Sequence, residues 1–165
     1  MKKQDLLFKS KAGLFSYRVS GVLIRDGKVL LQHVIDDPAY AFPGGHVNFG
    51  EVSQDALIRE FKEEIAADIR PLRLLWVGEN FFPWGEEECH QICLYYQVAL
   101  CDATQIPLEG SFYAQDYLSG KRIGLEFCWF PISSLEDIDV YPTLCKVKLG
   151  NLSDQVETFV FRQKQ

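Results

Sequence analysis

The sequence has few basic residues and no long apolar run. Its 17 lysine and arginine residues are outnumbered by 23 aspartate and glutamate residues, so the net charge is −6. A chain this acidic lacks the basic stripe that long nucleic acids need, so no such partner is expected. No apolar stretch is long enough to cross a bilayer, so we expect no membrane association. A small anionic substrate remains open, provided that metal ions neutralise its charge.

Cysteine is also scarce and irregularly placed, which argues against a disulfide framework. The cysteines are odd in number and scattered: Cys89, Cys93, Cys101, Cys128 and Cys145. They indicate reduced thiols, and residues 1–13 contain no apolar run of signal-peptide length, so we expect a cytoplasmic protein. The sequence contains no repeat, low-complexity tract or interdomain linker. With 165 residues, 47% of them hydrophobic, it suits one domain over residues 1–165.

The spacing of apolar residues predicts several strands around one long helix. Strands are expected at Phe15–Ile24, Lys28–Ile35, Leu72–Phe82, Gln91–Leu100, Glu126–Ile132 and Gln155–Phe161. The third and fourth of these pair antiparallel if the segment Pro83–His90 between them is a loop. The long helix should begin at Ser53 as N-cap and end at Asp68–Pro71. Two short helices are expected at Ser133–Ile138 and Thr143–Leu149, and a connection of mixed character at Cys101–Lys121. Together these elements predict a mixed sheet covered by helices, in an α/β or α+β layered domain.

The predicted long helix carries an unusual concentration of acids near its end. On a helical wheel, Glu60, Glu63 and Glu64 gather beside the apolar stripe. Like charges at this spacing repel by a few tenths of a kcal/mol per pair, and the helix end disfavours each carboxylate by roughly 0.3–1 kcal/mol. Partial burial of Glu64 would raise this cost. A divalent cation would offset it, and oxygen ligands suit Mg²⁺ or Mn²⁺. On the cluster alone, a solvated acidic helix end is the alternative.

The loop before the helix favours the metal interpretation. The paired glycines Gly44 and Gly45 allow a turn that brings a backbone carbonyl to the same place. Glu51 precedes the helix and can pair with Arg59 about two turns later, which would hold that arginine in position.

At this point the residues resemble the Nudix box. Gly45 is followed after five residues by Glu51, and after seven more by Arg59-Glu60, an apolar residue, one further residue and Glu63-Glu64. The lead-in, residues 42–45, also resembles that of the family. The sequence departs at Ala66, where the family usually has glycine. Alanine at this place predicts a helix that runs slightly longer or ends differently.

The resemblance implies an α/β/α sandwich in which the box forms a loop–helix–loop. It implies a hydrolase that uses Mg²⁺ or Mn²⁺ to cleave the diphosphate of a nucleoside diphosphate linked to another group. A modified nucleoside triphosphate, ADP-ribose or another nucleotide sugar, and a dinucleoside polyphosphate are all open as substrates. A homodimer is kept open as an assembly. The competing interpretation is a catalytically silent Nudix-fold domain that binds nucleotides or regulates.

The resemblance also assigns roles to individual residues. Glu60, Glu63 and Glu64 are implied metal ligands, with the Gly45 carbonyl as an additional one. Arg59 orients a glutamate, and Glu51 positions Arg59. For the general base, two choices stay open: Glu60, or a carboxylate outside the box. Glu126 is our choice for the outside carboxylate, an ordinary surface acid is its alternative, and Glu109 and Glu79 are weaker options.

Several further residues have two interpretations each. Arg18 faces a substrate cleft or forms a surface pair. His46 is expected to be an exposed loop histidine, with a contact to substrate phosphate as the alternative. A zinc site is not expected at Cys89, His90 and Cys93, because no second ligand pair follows at the usual spacing. Strand alternation also turns the histidine away from both cysteines. Aromatic residues outside the box either fill the core or stack on a base: Phe81, Phe82, Trp84, Tyr113, Tyr117 and Trp129.

Overall fold

The computed structural model of the protein describes residues 3–118 and 120–164. Within these ranges the strands are β1 (Leu7–Ser10), β2 (Gly13–Arg25), β3 (Lys28–Val34), β4 (Gly44–His46), β5 (Ile69–Trp84), β6 (Glu87–Leu100), β7 (Ser111–Leu118), β8 (Lys121–Pro131) and β9 (Glu157–Arg162). The helices are α1 (Ser53–Ile65), a 3₁₀ helix (Ile132–Asp137) and α2 (Cys145–Gly150). The expected domain limits, residues 1 and 165, lie outside the described residues.

The strands form one mixed sheet, as the sequence predicts. Its order is β7-β8-β3-β2-β6-β5-β9, and β1 and β4 also pair with β2. The β2–β6 and β5–β9 pairs are parallel and the remaining pairs are antiparallel. The expected antiparallel pairing of 72–82 with 91–100 is confirmed. The turn between these strands is shorter than the predicted loop, because pairing continues out to Trp84 and Glu87.

The hairpin between β2 and β3 explains where the sheet opens. Asp26 and Gly27 both have positive φ, 50° and 73°, which is the backbone of a type I′ turn. The two strands pair only at Ile24 with Val29 and at Arg25 with Lys28. Beyond these pairs β2 continues beside β4 and β6, whereas β3 continues beside β8. This divergence creates a gap between two parts of the sheet.

Helices cover both faces of the sheet, which gives the α/β sandwich. α1 covers one face, where one apolar cluster includes Leu57 and Phe61 of the helix and Leu125 and Phe127 of β8. Gly21 of β2 lets this helix lie close, because a Cβ there would meet the Phe61 ring at 2.7 Å. The 3₁₀ helix and α2 cover the opposite face. A second apolar cluster lies there, and its members include Phe42, Leu75, Trp76, Tyr95, Leu135 and Leu149.

Both ends of α1 differ from expectation. The N-cap is Val52, which makes no side-chain capping bond. Ser53 is the first helical residue, and its hydroxyl instead bonds the Tyr96 hydroxyl at 2.8 Å. Although glycine is absent at residue 66, the helix is not extended and ends at Ile65. Ala66 itself adopts the left-handed conformation, with φ 54° and ψ 26°. Alanine therefore occupies a backbone conformation that favours glycine.

The connection expected at Cys101–Lys121 contains an unpredicted strand, β7. It pairs with β8, which starts earlier than the predicted Glu126 and therefore holds this residue in its middle. The short helices are found one to two residues from their predicted limits, the first as a 3₁₀ helix. No helix in the described ranges combines the length and the apolar character needed to cross a membrane.

Candidate active site

Arg59 is the centre of a hydrogen-bonded network in the loop before α1 and in the helix itself. Its guanidinium bonds Glu51 at two points, from Nε to Oε1 at 2.8 Å and from Nη2 to Oε2 at 2.9 Å. Nη1 donates to Glu60 at 2.7 Å and to Glu63 at 3.3 Å. Nη2 also donates to the His46 carbonyl at 3.1 Å. One side chain thus fixes three carboxylates and the strand that enters the box.

Glu51 is held firmly enough to act as the anchor of this network. Besides Arg59, it accepts a bond from the Asn48 amide at 2.9 Å. The bond from Arg59 lowers the pKa of Glu51, and the same bond raises the pKa of Arg59. Both side chains are largely buried, with 18% and 16% exposure, so this ion pair is much less screened than one at the surface.

Gly45 lies directly against the Glu60 carboxylate. A Cβ at residue 45 would lie 2.2 Å from Glu60 Cδ and within 2.5 Å of both of its oxygens. Burial raises the pKa of Glu60, and Arg59 opposes that effect. The missing side chain at residue 45 therefore lets a carboxylate with only 14% exposure lie against the β4 backbone.

Glu64 is the most deeply buried acid of α1, and Asp116 of β7 is its neighbour. Burial raises the pKa of Glu64 well above its ordinary value, and Glu60 and Asp116 raise it further. Asp116 therefore lies close enough to disfavour the charged form of Glu64, which a nearby cation would favour. Glu63, in contrast, is 55% exposed and pairs with Lys3 at 3.7 Å.

These carboxylates fit a divalent cation on the chemistry of the groups themselves. Burial is the main cause of the raised pKa values of Glu60 and Glu64, so a bound cation would favour the charged forms of both. All the donors are oxygen atoms, which Mg²⁺ and Mn²⁺ prefer. The Gly45 carbonyl belongs to the strand against which Glu60 lies.

Glu126 does not join this cluster, which corrects its assignment as the outside carboxylate. On β8 the odd-numbered residues Ile123, Leu125 and Phe127 face α1, so Glu126 faces the opposite side of the sheet. There it pairs with His33 across the two strands, from Nε2 to Oε2 at 2.8 Å. The weaker options fare no better, since Glu79 is exposed on β5 and Glu109 is exposed before β7.

Sequence reasoning missed Asp116 and Asp5, which the fold brings to the cluster from distant parts of the chain. Asp116 shares the parity of Phe112 and Ala114, which pack against the α1 core, so this alternation was the available signal. Asp5 pairs with Asn48 through an isolated bridge, and burial raises the pKa of Asp5. No local pattern marks Asp5, because its position depends on β1 pairing with β2.

A cavity of about 1070 Å³ extends from the carboxylates into the gap where β2 and β3 diverge. Arg18 lines it, so the cleft-facing interpretation of this residue is confirmed. Its guanidinium donates to the Phe42 carbonyl at 3.2 Å and to the Ser20 hydroxyl at 3.3 Å. Arg18 thus places a fixed positive charge on the cavity wall beside the acids.

An aromatic wall forms another side of the cavity. The His46 and Trp84 rings are stacked with centroids 6.0 Å apart, and the Phe82 and Trp84 rings are stacked with centroids 6.3 Å apart. The expectation of an exposed loop histidine at 46 is wrong, because His46 belongs to β4 and contacts the Ser16 hydroxyl at 3.1 Å. Burial, with help from Arg18, lowers the pKa of His46 to about 4, so this ring is neutral at physiological pH.

Gln32 and Asn80 line the same cavity, and each has a buried side-chain oxygen, Oε1 and Oδ1 respectively, with no hydrogen-bond partner among the described residues. Asn80 is only 2% exposed, and its amide nitrogen donates to Gln91 and to the Tyr95 hydroxyl. Buried oxygens without partners cost about 1–3 kcal/mol each, so a shift of either side chain that brought its oxygen to a donor of a polar ligand would be favourable.

Comparisons with known proteins agree with this architecture. The family model for the NUDIX domain matches residues 16–144. The chain is 37% identical over 70 residues to an ADP-ribose pyrophosphatase of Methanocaldococcus jannaschii, a match that covers 39% of this chain and 40% of that relative. The matched part is therefore less than half the length of either protein.

Solved structures resemble the fold at low sequence identity. A MutT NUDIX hydrolase from Burkholderia pseudomallei superposes with a TM-score of 0.60 at 19% identity, covering 82% of this chain and 97% of that one. An ADP-ribose pyrophosphatase from Streptococcus suis gives 0.57 at 13% identity, covering 87% and 98%. A UDP-X diphosphatase gives 0.56 at 18% identity, covering 86% and 66%. Identities this low support the fold and leave the substrate to be argued from the site.

Proposed function

The chain belongs to the NUDIX domain family, and on this premise we propose that it is a divalent-metal-dependent hydrolase of nucleotide-type diphosphates. The reaction would be cleavage of the diphosphate bond in a nucleoside diphosphate linked to another group. The observation that carries this proposal is the Glu51–Arg59–Glu60 network, which holds buried carboxylates at the mouth of a large cavity.

The proposed ligands for the cation are Glu60, Glu63, Glu64 and the Gly45 carbonyl. When bound, Mg²⁺ or Mn²⁺ supplies positive charge that neutralises phosphate oxygens and makes water a better nucleophile. The surrounding residues position these ligands. Arg59 fixes the Glu60 carboxylate by its 2.7 Å bond, and Glu51 fixes Arg59 by two bonds.

For the general base we propose Asp116, with Glu60 as the alternative. Asp116 lies beside Glu64 and takes no part in the bonds of Arg59; its Oδ1 accepts a bond from the Tyr117 backbone amide at 2.7 Å, so Oδ2 is the atom proposed to take a proton from water. Glu60 is already engaged with a guanidinium, which lowers its affinity for a proton. Asp116→Asn should lower kcat by about 10²–10⁴-fold, the usual contribution of a general base.

Measuring Mg²⁺ affinity separates the two carboxylates. If Asp116 is the base, Asp116→Asn lowers kcat and leaves Mg²⁺ uptake close to that of the wild type. Glu60→Gln should weaken Mg²⁺ uptake and turnover together, because Glu60 is a proposed ligand. A variant Asp116→Asn with unchanged kcat would return the role to Glu60.

The cavity supports a substrate that has both a flat ring and phosphate groups. Trp84 and Phe82 offer ring faces for a base, and stacking of a base on an aromatic side chain contributes about 1–3 kcal/mol. Arg18 offers a fixed cation for a phosphate. The unpartnered oxygens of Gln32 and Asn80 offer acceptors for sugar hydroxyls or amino groups. ADP-ribose and other nucleotide sugars combine all of these features, and they head the panel for testing.

The test is phosphate or nucleotide release over a panel of nucleoside triphosphates, nucleotide sugars, ADP-ribose and dinucleoside polyphosphates, with Mg²⁺ and then Mn²⁺. The variants are Glu64→Gln and a matched control, Glu86→Gln, which changes an exposed turn residue in the same way. We expect turnover of at least one compound by the wild type and the control, and loss of that turnover in Glu64→Gln.

The competing function, a catalytically silent domain that binds nucleotides or regulates, predicts a different pattern. Release would stay at background for all three proteins across the whole panel, while nucleotide binding would still be detected by calorimetry. Retention of every box carboxylate argues against this alternative, because a domain without turnover has no need to bury Glu60 and Glu64 at a cost.

A further inference from the structure

A second cluster of metal-binding side chains lies on the face of the sheet opposite the box helix. It contains His33 of β3 and Glu126 and Cys128 of β8, whose ligand atoms all lie within 4.8 Å of one another. His33 is directly opposite Glu126 in the strand register, and Cys128 is two residues further along β8. Strand alternation therefore turns all three side chains the same way.

The hydrogen bonds of His33 point to a cation at this place. Nδ1 lies 2.7 Å from the Asp37 carbonyl, and Nε2 lies 2.8 Å from a Glu126 oxygen. A neutral imidazole has one N–H, so it can donate to only one of these acceptors. The ring must then carry a second proton or face a metal ion. Histidines that bind metals commonly donate their other N–H to a backbone carbonyl, and the contact with Asp37 has this form.

The surroundings hold the ring in place and leave the cluster only partly open to solvent. The Tyr40 ring stacks on His33 with centroids 4.4 Å apart, and Tyr40 packs in turn on Phe130. The side chains of His33 and Glu126 are 12% and 22% exposed. An ion can therefore enter from solvent, and water can complete its coordination.

We propose that His33, Glu126 and Cys128 bind a zinc-class divalent cation at a site separate from the carboxylates of α1. A nitrogen, a sulfur and an oxygen ligand form a set that suits Zn²⁺, and three protein ligands leave a fourth position for water. Mg²⁺ is excluded by the same chemistry, since it prefers oxygen ligands in octahedral geometry. The site does not depend on the proposed hydrolase activity. Its occupation would tie the segment that contains Asp37, Ala39 and Tyr40, which line the cavity, to β3 and β8.

The test uses Co²⁺ as a spectroscopic probe on the reduced, full-length protein in excess Mg²⁺, which occupies oxygen-rich sites. Binding at the proposed site gives a thiolate-to-cobalt charge-transfer band in the near ultraviolet that saturates at one equivalent and disappears when Zn²⁺ is added. Glu64→Gln should retain the band, because Glu64 lies on the other face. Cys101→Ser is the matched control, since this cysteine is exposed and distant in sequence from the cluster.

Cys128→Ser should abolish the band, and His33→Gln should weaken Zn²⁺ binding by more than about 10–100-fold, the loss that even outer-shell changes cause. The wild-type titration needs no variant, so it decides the matter even if a substitution at the buried Cys128 prevents folding. Absence of a thiolate band in the wild type overturns the proposal, as does a band that persists in folded Cys128→Ser. His33 would then be an imidazolium ion paired with Glu126.

Discussion

Replacement of Gly45 by alanine tests the geometry of the box at one atom. The new Cβ would lie 2.2 Å from Glu60 Cδ, and ordinary contacts begin near 3.4 Å. The carboxylate must therefore retreat by more than ~1 Å, because close-packed interiors leave no slack. The backbone carbonyl of residue 45 is kept, so the change isolates the position of Glu60.

The magnitude follows from what Glu60 loses. A hydrogen bond to a charged group contributes about 1.5–3 kcal/mol, and the bond from Arg59 to Glu60 is of this kind. Partial release of Glu60 from burial offsets some of that loss, so we expect a destabilisation of about 1–2 kcal/mol and a fall in Tm of roughly 2–8 °C. A displacement of ~1 Å in a positioned group can cost about 10²-fold in rate, so turnover should suffer far more than stability.

Two other glycines make the comparison specific. A Cβ at Gly150 would contact nothing within 4 Å, so Gly150→Ala should match the wild type in Tm, Mg²⁺ uptake and turnover. A Cβ at Gly44 would lie 2.0 Å from the Val19 carbonyl, a backbone atom that cannot move aside, so Gly44→Ala should fold poorly. Thermal unfolding, calorimetric Mg²⁺ titration and turnover are measured on all three. Wild-type turnover and Mg²⁺ uptake in folded Gly45→Ala would refute the reasoning.

Three further predictions concern the helix end, the buried acid and the aromatic wall. Ala66→Gly should raise stability by about 1 kcal/mol and Tm by ~2–4 °C in thermal unfolding, because glycine relieves the left-handed strain; an unchanged or lower Tm would contradict this. The raised pKa of Glu64 means that the folded, metal-free protein loses stability as pH rises above the ordinary carboxyl range. Glu64→Gln should therefore unfold at a higher temperature than the wild type near pH 8 and at the same temperature near about pH 4. Parallel profiles of Tm against pH for the two proteins would count against burial of this charge. Trp84→Ala should raise KM by roughly 5–150-fold with kcat nearly constant, because a stacking surface for the base is lost. Tyr113→Ala, which removes an exposed ring, should change neither KM nor kcat. Equal KM values for the two variants would exclude stacking of the substrate on Trp84.

The local parts of the site could be predicted from the sequence because their geometry depends on short separations along the chain. Glu51 and Arg59 are eight residues apart, and one helix sets the directions of Glu60, Glu63 and Glu64. The β2–β3 hairpin was also predictable, since an Asp-Gly pair is suited to positive φ at both positions.

The outside carboxylate could not be predicted because it depends on strand pairing. The choice between Glu126 and Asp116 rests on which face of β8 and β7 meets α1. A shift of one residue in register reverses every side chain of a strand, and β7 carries apolar residues on both faces, Phe112 and Ala114 on one and Tyr113 and Tyr117 on the other, so the pattern alone does not show which face is buried. The prediction of Ser53 as N-cap was wrong for a related reason, because its hydroxyl bonds Tyr96 of β6, a partner 43 residues away in the sequence.

The balance of charge supports our proposal that substrate binding at this site requires divalent cations. All five N–H donors of the Arg59 guanidinium are already bonded, to Glu51, Glu60, Glu63 and the His46 carbonyl. Arg59 therefore has no further donor for a phosphate. Arg18 lowers the pKa of both Glu60 and Glu64, so it is a fixed positive charge near these acids that Arg59, already engaged, does not provide. A diphosphate carries at least two negative charges into a cavity that is already acidic. If divalent cations offset this repulsion, as we propose, substrate affinity should depend on Mg²⁺ concentration even in a variant that cannot turn over.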